Sequence, residues 1–210
     1  MSFCPTVALA ASSGTCGENL TWALSEDGTL TVSGSGDMAD YTSQNLAPWY
    51  GDRGSIQKVV IENGVTSIGN YAFQNCRKLT GVEIPGSVKS IGTTAFNSCS
   101  ALTSVKMAEG IETLGSRAFA ADNNLKSIEV PSSIKAFSKA ESPFGSRAST
   151  MEIIYAGTLA QWKQIDSGSA FEGTVYGAPH TVTVDGGGST GSTDTGPYNE
   201  GKTVTVYAGA

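Results

Sequence analysis

Charged side chains are scarce in this chain of 210 residues. Asp, Glu, Lys and Arg make up 15% of it, whereas globular proteins carry about 25%. The acidic groups are in excess, the formal net charge is −6, and the basic residues form no cluster. Because such a chain repels a phosphate backbone, we expect no nucleic-acid partner. No apolar run approaches the ~18 residues of a transmembrane helix, so we expect no membrane span.

Residues suited to catalysis or metal binding are also few. The chain has one histidine, His180, beside Pro179 and close to a low-complexity tract. An exposed histidine explains this position better than a catalytic base, on which a Ser-His-Asp or Cys-His site would depend. The sequence contains no P-loop, dinucleotide fingerprint, zinc-ligand spacing or EF-hand loop. We therefore expect no enzyme activity, no cofactor and no metal site.

Glycine, by contrast, is abundant, and the chain repeats itself. The 26 glycines predict many turns. Three consecutive copies of one sequence fill residues 67–135 with a period of 23 and no gap: SIGNYAFQNCRKLTGVEIPGSVK, SIGTTAFNSCSALTSVKMAEGIE and TLGSRAFAADNNLKSIEVPSSIK. Six apolar positions per copy fall in register. They are Ile68, Ile91 and Leu114; Phe73, Phe96 and Phe119; Leu79, Leu102 and Leu125; Val82, Val105 and Ile128; Ile84, Met107 and Val130; and Val88, Ile111 and Ile134.

A fixed period of this length predicts a solenoid. One unit cannot bury its apolar stripe alone, so neighbouring units must stack into a continuous core. In each unit the run L-x-x-V-x-I alternates as a β-strand does, which predicts one strand per coil in a parallel sheet. A proline-containing corner and a second short extended piece at V-x-x-I-G follow, and the A-F-x-x-C region favours one tight helical turn.

The repeat pattern resembles a known family. The consensus I-G-x-x-A-F-x-x-C-x-x-L-x-x-V-x-I-P is similar to leucine-rich repeats of the BspA-like class, which occur on bacterial surface proteins. The resemblance is strongest over 56–135. It implies a right-handed leucine-rich repeat solenoid, rich in β-structure, that is secreted or displayed on a cell surface.

The N-terminal part differs from the repeats. Residues 3–10, FCPTVALA, end in an A-x-A pattern, so 1–10 is interpreted as the remnant of a signal peptide. In NLTWALSEDGTLTVSG, two alternating runs flank Glu26-Asp27-Gly28, which predicts a β-hairpin. We therefore assign 11–54 to an N-terminal hairpin cap, since an open solenoid end exposes its core and a strand edge. The segment SGTCGENLTW (13–22) also resembles the leader that precedes such repeats in secreted relatives.

The solenoid itself is assigned to 55–166. It begins with half a coil, because the apolar residues of 55–66 lie one period before their equivalents in the first full copy. After Lys135 the period degrades: Phe137 keeps its place, whereas Phe144 arrives two residues late, which predicts a fourth coil with a two-residue insertion. The segment 154–165 resembles the closing strand and short helix seen after such arrays. Residues 167–185 are assigned to an extended segment, and 186–210 to a linker and the start of a further module.

The four cysteines do not suggest a disulfide framework. Cys76 and Cys99 lie one period apart, which places them in one column at a spacing of about 4.8 Å. A disulfide requires Cβ atoms about 3.8 Å apart. Two buried thiols are therefore favoured over a bridge, although a secreted protein makes a bridge conceivable.

The outward positions of the predicted strands form a candidate binding face. Its eight residues are Lys58, Gly81, Ser104 and Ser127 in one column, and Val60, Glu83, Lys106 and Glu129 in the next. They include no aromatic or arginine anchor of the kind that dominates tight protein interfaces. We expect Lys106 to form cross-strand charge pairs with Glu83 and Glu129, each worth about 0.2 to 1 kcal/mol. A glycosidase pair would require two carboxylates around a sugar, and Lys106 interrupts them.

Aromatic residues lie near both ends of the predicted solenoid instead. They are Tyr41, Trp49, Tyr50, Tyr155 and Trp162. Packing within the caps is favoured over an exposed aromatic contact site.

Three functions remain open at this stage. The first is an extracellular binding or adhesion module for a host or matrix protein or a glycan, which the resemblance implies. The second is a rigid spacer that presents other domains, which the small polar face favours. The third is an accessory domain of a larger secreted enzyme. In each case we expect a monomer.

Overall fold

The computed structural model describes residues 10–138, 140–145, 151–165 and 174–176. Short strands alternate with turns along these ranges. In chain order the strands are β1 (Ala10–Thr15), β2 (Leu20–Ser25), β3 (Thr29–Gly34), β4 (Gly36–Asp37), β5 (Lys58–Ile61), β6 (Val65–Ile68), β7 (Gly81–Ile84), β8 (Ser90–Ile91), β9 (Ser104–Met107), β10 (Thr113–Leu114), β11 (Ser127–Val130), β12 (Ala136–Phe137), β13 (Glu152–Tyr155) and β14 (Thr174–Tyr176). A 3-10 turn covers Tyr50–Asp52, and helix α1 covers Leu159–Ile165.

Each repeat contributes one strand to a parallel sheet. In β9, Val105 is buried while Ser104 and Lys106 are exposed, the alternation expected of a strand with one solvated face. Neighbouring strands pair with a shift of one period, so that Ser104 lies beside Gly81 on one side and Ser127 on the other. The order β3-β5-β7-β9-β11-β13 within the larger sheet confirms the predicted stack of coils.

The second extended piece of each coil belongs to a smaller sheet. Strands β6, β8, β10 and β12 pair in parallel, and β4 joins them beside β6. Ile68, Ile91 and Leu114 are buried residues of these strands and belong to the same core cluster as the valines of the larger sheet. The V-x-x-I-G prediction is therefore confirmed.

A column of stacked aromatic rings runs through the core from coil to coil. The rings of Phe73, Phe96 and Phe119 are stacked with centroid separations of 5.0 and 5.3 Å, close to the ~4.8 Å spacing of adjacent strands. Trp49 continues the column, 5.4 Å from Phe73 at an interplanar angle of 16°. The period could not place Trp49 there, because it precedes Phe73 by 24 residues rather than 23.

In place of the predicted helical turn, the A-F-x-x-C region forms a series of non-helical turns. Tyr71 and Asn75 have positive φ angles of 58° and 62°, which an α-helix does not contain. The N–H of Cys76 donates within its own turn to the carbonyl of Phe73, whereas the N–H of Phe73 donates to the carbonyl of Ala95 in the next coil. A helix would direct its N–H groups along its own axis. The alternating turns therefore satisfy backbone groups between coils, which a helix would not.

The predicted N-terminal hairpin is present. Strands β2 and β3 pair antiparallel with Trp22 opposite Val32, and both side chains are buried. Strand β3 then pairs in parallel with β5, so the hairpin occupies the edge of the first coil strand. Strand β1, which pairs with β2, was not predicted, because AASSGT lacks apolar alternation.

Several assignments at the N-terminus stay predictions. They are the stabilising role of the hairpin as a cap, the boundary at residue 54 and the right-handed winding of the coils. Of the presumed signal-peptide remnant, 1–9 lies outside the described residues, and Ala10 begins β1.

The two-residue insertion in the fourth coil is confirmed by strand register. Ile128 of β11 pairs with Ile153 of β13, which is 25 residues later rather than 23. Helix α1 follows β13, as the closing segment predicted, and its Trp162 packs edge-on against Phe137 with a centroid distance of 5.3 Å. The predicted linker at 186–210 lies outside the described residues, as does the extended segment 167–185 apart from β14.

Candidate functional site

The eight predicted residues lie on one solvent-facing surface of the larger sheet. They come from the four-residue strands β5, β7, β9 and β11, where every second side chain points away from the core. Pairing brings Gly81 beside Ser104 and Ser104 beside Ser127, and it places Lys106 between Glu83 and Glu129. Val60 lies beside Glu83 at the end of the second column. Both predicted columns are therefore present.

A trough of about 850 Å3 lies over this surface. All eight predicted residues line it. The lining also contains Gln57 and Thr80 at the start of the strands, and Pro85 and Ala108 at their ends. None of these four is among the predicted residues, although Thr80 follows Gln57 by one period and Ala108 follows Pro85 by one period. Each of the four residues directly precedes or follows a predicted strand, so adding one residue at each strand end would have included them.

At Gly81 the floor of the trough carries no side chain. A Cβ atom added there would lie 3.1 Å from the Ser104 Oγ, closer than most Cβ contacts. Ser104 and Ser127 continue this column with small side chains, of which the first is exposed and the second half-buried. Gly81, Ser104 and Ser127 therefore form a low, hydroxyl-bearing channel beside Glu83, Lys106 and Glu129, whereas Lys58 of the same column is a long, exposed side chain.

The charged column does not form the expected ion pairs. In the described part of the chain, neither the Glu83 nor the Glu129 carboxylate lies within 4.0 Å of the Lys106 ammonium. The register is as predicted, but all three side chains are exposed, and an exposed pair gains too little to offset the cost of ordering two long side chains. The three charges thus point into solvent above the floor.

Ion pairs and buried carboxylates lie elsewhere. Lys135 contacts the Glu112 carboxylate at 2.7 Å, and this hydrogen bond and the positive charge hold the pKa of Glu112 below its usual value. Asp122, in the same column as Cys99, is fully buried and accepts a hydrogen bond of 2.7 Å from the Cys99 backbone N–H. These groups stabilise contacts between coils and lie outside the trough lining.

The cysteines of the repeats are buried free thiols. Cys76 and Cys99 are both at most 1% exposed. The Cys99 thiol donates to the Phe73 carbonyl at 3.2 Å, and its hydrogen bond with Cys76, together with burial, raises its pKa well above the usual value. Burial also raises the pKa of Cys16 to about 11. Because the thiolate is the nucleophile, none of these groups is suited to nucleophilic catalysis.

The thiol state of the central pair can be measured directly. We expect Cys76 and Cys99 to resist a thiol probe in the native protein and both to react in denaturant without reductant. Peptide mass mapping assigns the labelled positions, and a reduced, denatured sample gives the reference labelling. If the pair were labelled only after reduction, it would be a disulfide and the assignment would be wrong.

The aromatic residues near the ends pack inside the protein. Tyr41, Trp49, Tyr155 and Trp162 are each at most 5% exposed, which confirms packing and excludes these four from an exposed contact site. Tyr50 is half-buried and lies under the Arg53 guanidinium, 3.8 Å from the ring centroid. The interaction of Arg53 with this ring is a cation–π contact.

Within the described ranges, no group of three or more His, Cys, Asp or Glu side chains is placed to hold a metal ion. Among the same residues, no helix is long and apolar enough to cross a membrane. His180 lies outside the described residues.

A profile of the BspA type leucine rich repeat region, in six copies, matches residues 49–164, which is more than half of the chain. The chain belongs to the BspA-type leucine-rich repeat family. The matched range begins at Trp49, the residue that starts the aromatic column, and ends within helix α1.

Solved structures of bacterial leucine-rich repeat proteins are similar to this BspA-type chain. A protein from Eubacterium ventriosum ATCC 27560 is 29% identical with a TM-score of 0.55, and the match covers 69% of this chain and 44% of that protein. A protein from Bacteroides capillosus ATCC 29799 is 30% identical with a TM-score of 0.36, over 61% and 89% of the two chains. The chain thus spans less than half the length of the Eubacterium protein. No curated protein matches it significantly.

Proposed function

We propose that this BspA-type repeat chain is a non-catalytic extracellular binding or adhesion module of a bacterial cell-surface or secreted protein. The observation that carries the proposal is the trough, in which eight outward residues from four successive coils meet on one rigid surface. Proteins bind ligands in concave sites of about 300 to 1,000 Å3, and the trough volume falls in that range. The partner is a host or matrix protein or a glycan, and the module acts as a monomer.

A rigid spacer is the second candidate, and one observation favours it. No aromatic or arginine side chain is among the residues that line the trough, although such residues dominate the energetics of many protein interfaces. A spacer requires the stacked coils but not the trough. Variants of the trough therefore distinguish the two functions.

The test compares Ser104→Arg with Thr113→Arg. Ser104 is exposed on the trough floor, whereas Thr113 is exposed on β10 of the smaller sheet. Purified matrix proteins and an array of glycans are presented to the wild-type chain and to both variants. For any ligand of the trough, we expect Ser104→Arg to weaken binding by about tenfold or more through steric overlap and Thr113→Arg to leave it unchanged.

Thermal melting of both variants controls for folding. If a ligand of the panel binds both variants as tightly as the wild type, the interaction lies outside the trough. Absence of binding across the panel would favour the spacer.

A further inference from the structure

The trough has the dimensions of an α-helix. Each of its strands is four residues long, which at about 3.3 Å per residue makes the floor about 13 Å wide. Four strands at a spacing of about 4.8 Å extend it by about 14 Å along the solenoid. A helix with its side chains is about 10–12 Å across, and about ten residues rise 15 Å. A helix of two to three turns therefore fits lengthwise across the four strands.

The floor permits a large element to approach closely. Gly81, Ser104 and Ser127 present no long side chain, so an element above them can lie close to the strands. Lys58, which begins the same column on β5, is the exception. The lining contains no aromatic ring on which the apolar face of a sugar would stack. These features favour a protein element with regular side-chain spacing over a glycan.

The charged column matches the pitch of a helix. Glu83, Lys106 and Glu129 follow one another in register, so their Cα atoms are spaced about 4.8 and 9.6 Å from the first. Helix positions i, i+3 and i+7 rise about 4.5 and 10.5 Å along the axis. Alternate residues of an extended strand would lie about 6.7 and 13 Å away, and they lose register by the third charge. The three charges of this column are unpaired with one another, so they are available to a partner.

Resting on the proposed function, we infer that the trough binds an α-helix of a partner protein that carries basic, acidic and basic residues at i, i+3 and i+7. The two basic residues pair with Glu83 and Glu129, and the acidic residue pairs with Lys106. The lining contains two lysines and two glutamates. Recognition therefore depends on the order of charges rather than on net charge.

The probe is an alanine-rich peptide of about 18 residues, long enough to be helical in water, with Lys, Glu and Lys at these positions. The control peptide has the same composition in the order Lys, Lys, Glu. Binding to the full chain is measured by calorimetry at low and high salt. We expect the first peptide to bind about tenfold more tightly than the control at low salt, and the difference to shrink as salt screens the pairs.

Charge reversal identifies the contact. Lys106→Glu is expected to weaken binding of the Lys-Glu-Lys peptide by about tenfold and to strengthen binding of a Lys-Lys-Lys peptide. Lys78→Glu makes the same charge change at an exposed residue outside the trough lining and should leave the preference unchanged.

Equal binding of the two isomeric peptides, binding of neither, or equal effects of the two variants would overturn the helix inference. The proposed function would survive these results if a matrix protein or glycan still lost binding in Ser104→Arg. It would fail separately if no ligand of the panel responded to Ser104→Arg.

Discussion

Deleting 11–54 is expected to abolish cooperative folding. The deletion removes β1 to β4 and Trp49, so it exposes the edge of β5, the face of the Phe73 ring and the buried layer of Ile56, Val59 and Ile61. At about 25 cal/mol per Å2, a few hundred Å2 of exposed apolar surface amounts to several kcal/mol. Whole domains are stable by only about 5 to 15 kcal/mol. We expect aggregation or a loss of the melting transition, measured by circular dichroism and size-exclusion chromatography.

Two variants control this experiment. Deletion of 186–210 removes a Gly/Ser/Thr-rich sequence that is predicted to bury little, and it should change the melting temperature by only a few degrees. Trp49→Ala removes one buried ring without exposing a strand edge and should cost about 3 to 5 kcal/mol. A soluble, monomeric fragment 55–185 with a cooperative transition would show that 11–54 is a separate domain and not a cap.

Phe96→Ala is expected to lower the free energy of unfolding by about 3 to 5 kcal/mol. Phe96 is fully buried and lies between the rings of Phe73 and Phe119. Truncation to alanine therefore leaves a cavity between these two rings. Each coil contacts only its neighbours, and a cavity in the central coil therefore weakens the interfaces on both sides. Chemical denaturation of the wild type and the variant measures the change.

Two substitutions calibrate that value. Phe96→Leu retains most of the apolar volume and should cost less. Ser104→Ala changes an exposed residue of the same coil and should lie within about 0.5 kcal/mol of the wild type. If Phe96→Ala unfolded at the same denaturant concentration as Ser104→Ala, the ring column would not be a main stabilising element.

The repeat made most of the architecture predictable. Because a solenoid coil pairs only with the coils beside it, a 23-residue period also specifies strand register. Alignment of the copies alone therefore places Ser104 between Gly81 and Ser127, and Phe96 between Phe73 and Phe119. The same alignment assembled the eight residues of the candidate face, and the late position of Phe144 indicated the insertion in the fourth coil.

Features outside the period required the three-dimensional structure. Strand β1 has no apolar alternation to mark it, and Trp49 is one residue out of phase, so both depend on contacts with residues distant in sequence. The turns that replace the predicted helical turn depend on hydrogen bonds to the next coil, which compete with local helical bonds. The charges near Lys106 remain unpaired because side-chain entropy and solvation oppose exposed pairs.

The sequence by itself therefore determined the solenoid, its register and the identity of the outward residues, because units of equal length that each carry one apolar stripe bury it by stacking one period apart. Only the tertiary structure decided that these residues line a trough, that its charges are not paired with one another, and that a tryptophan from the N-terminal segment continues the aromatic column. Those properties arise from side-chain conformations and from contacts between non-repeating segments, which no period encodes.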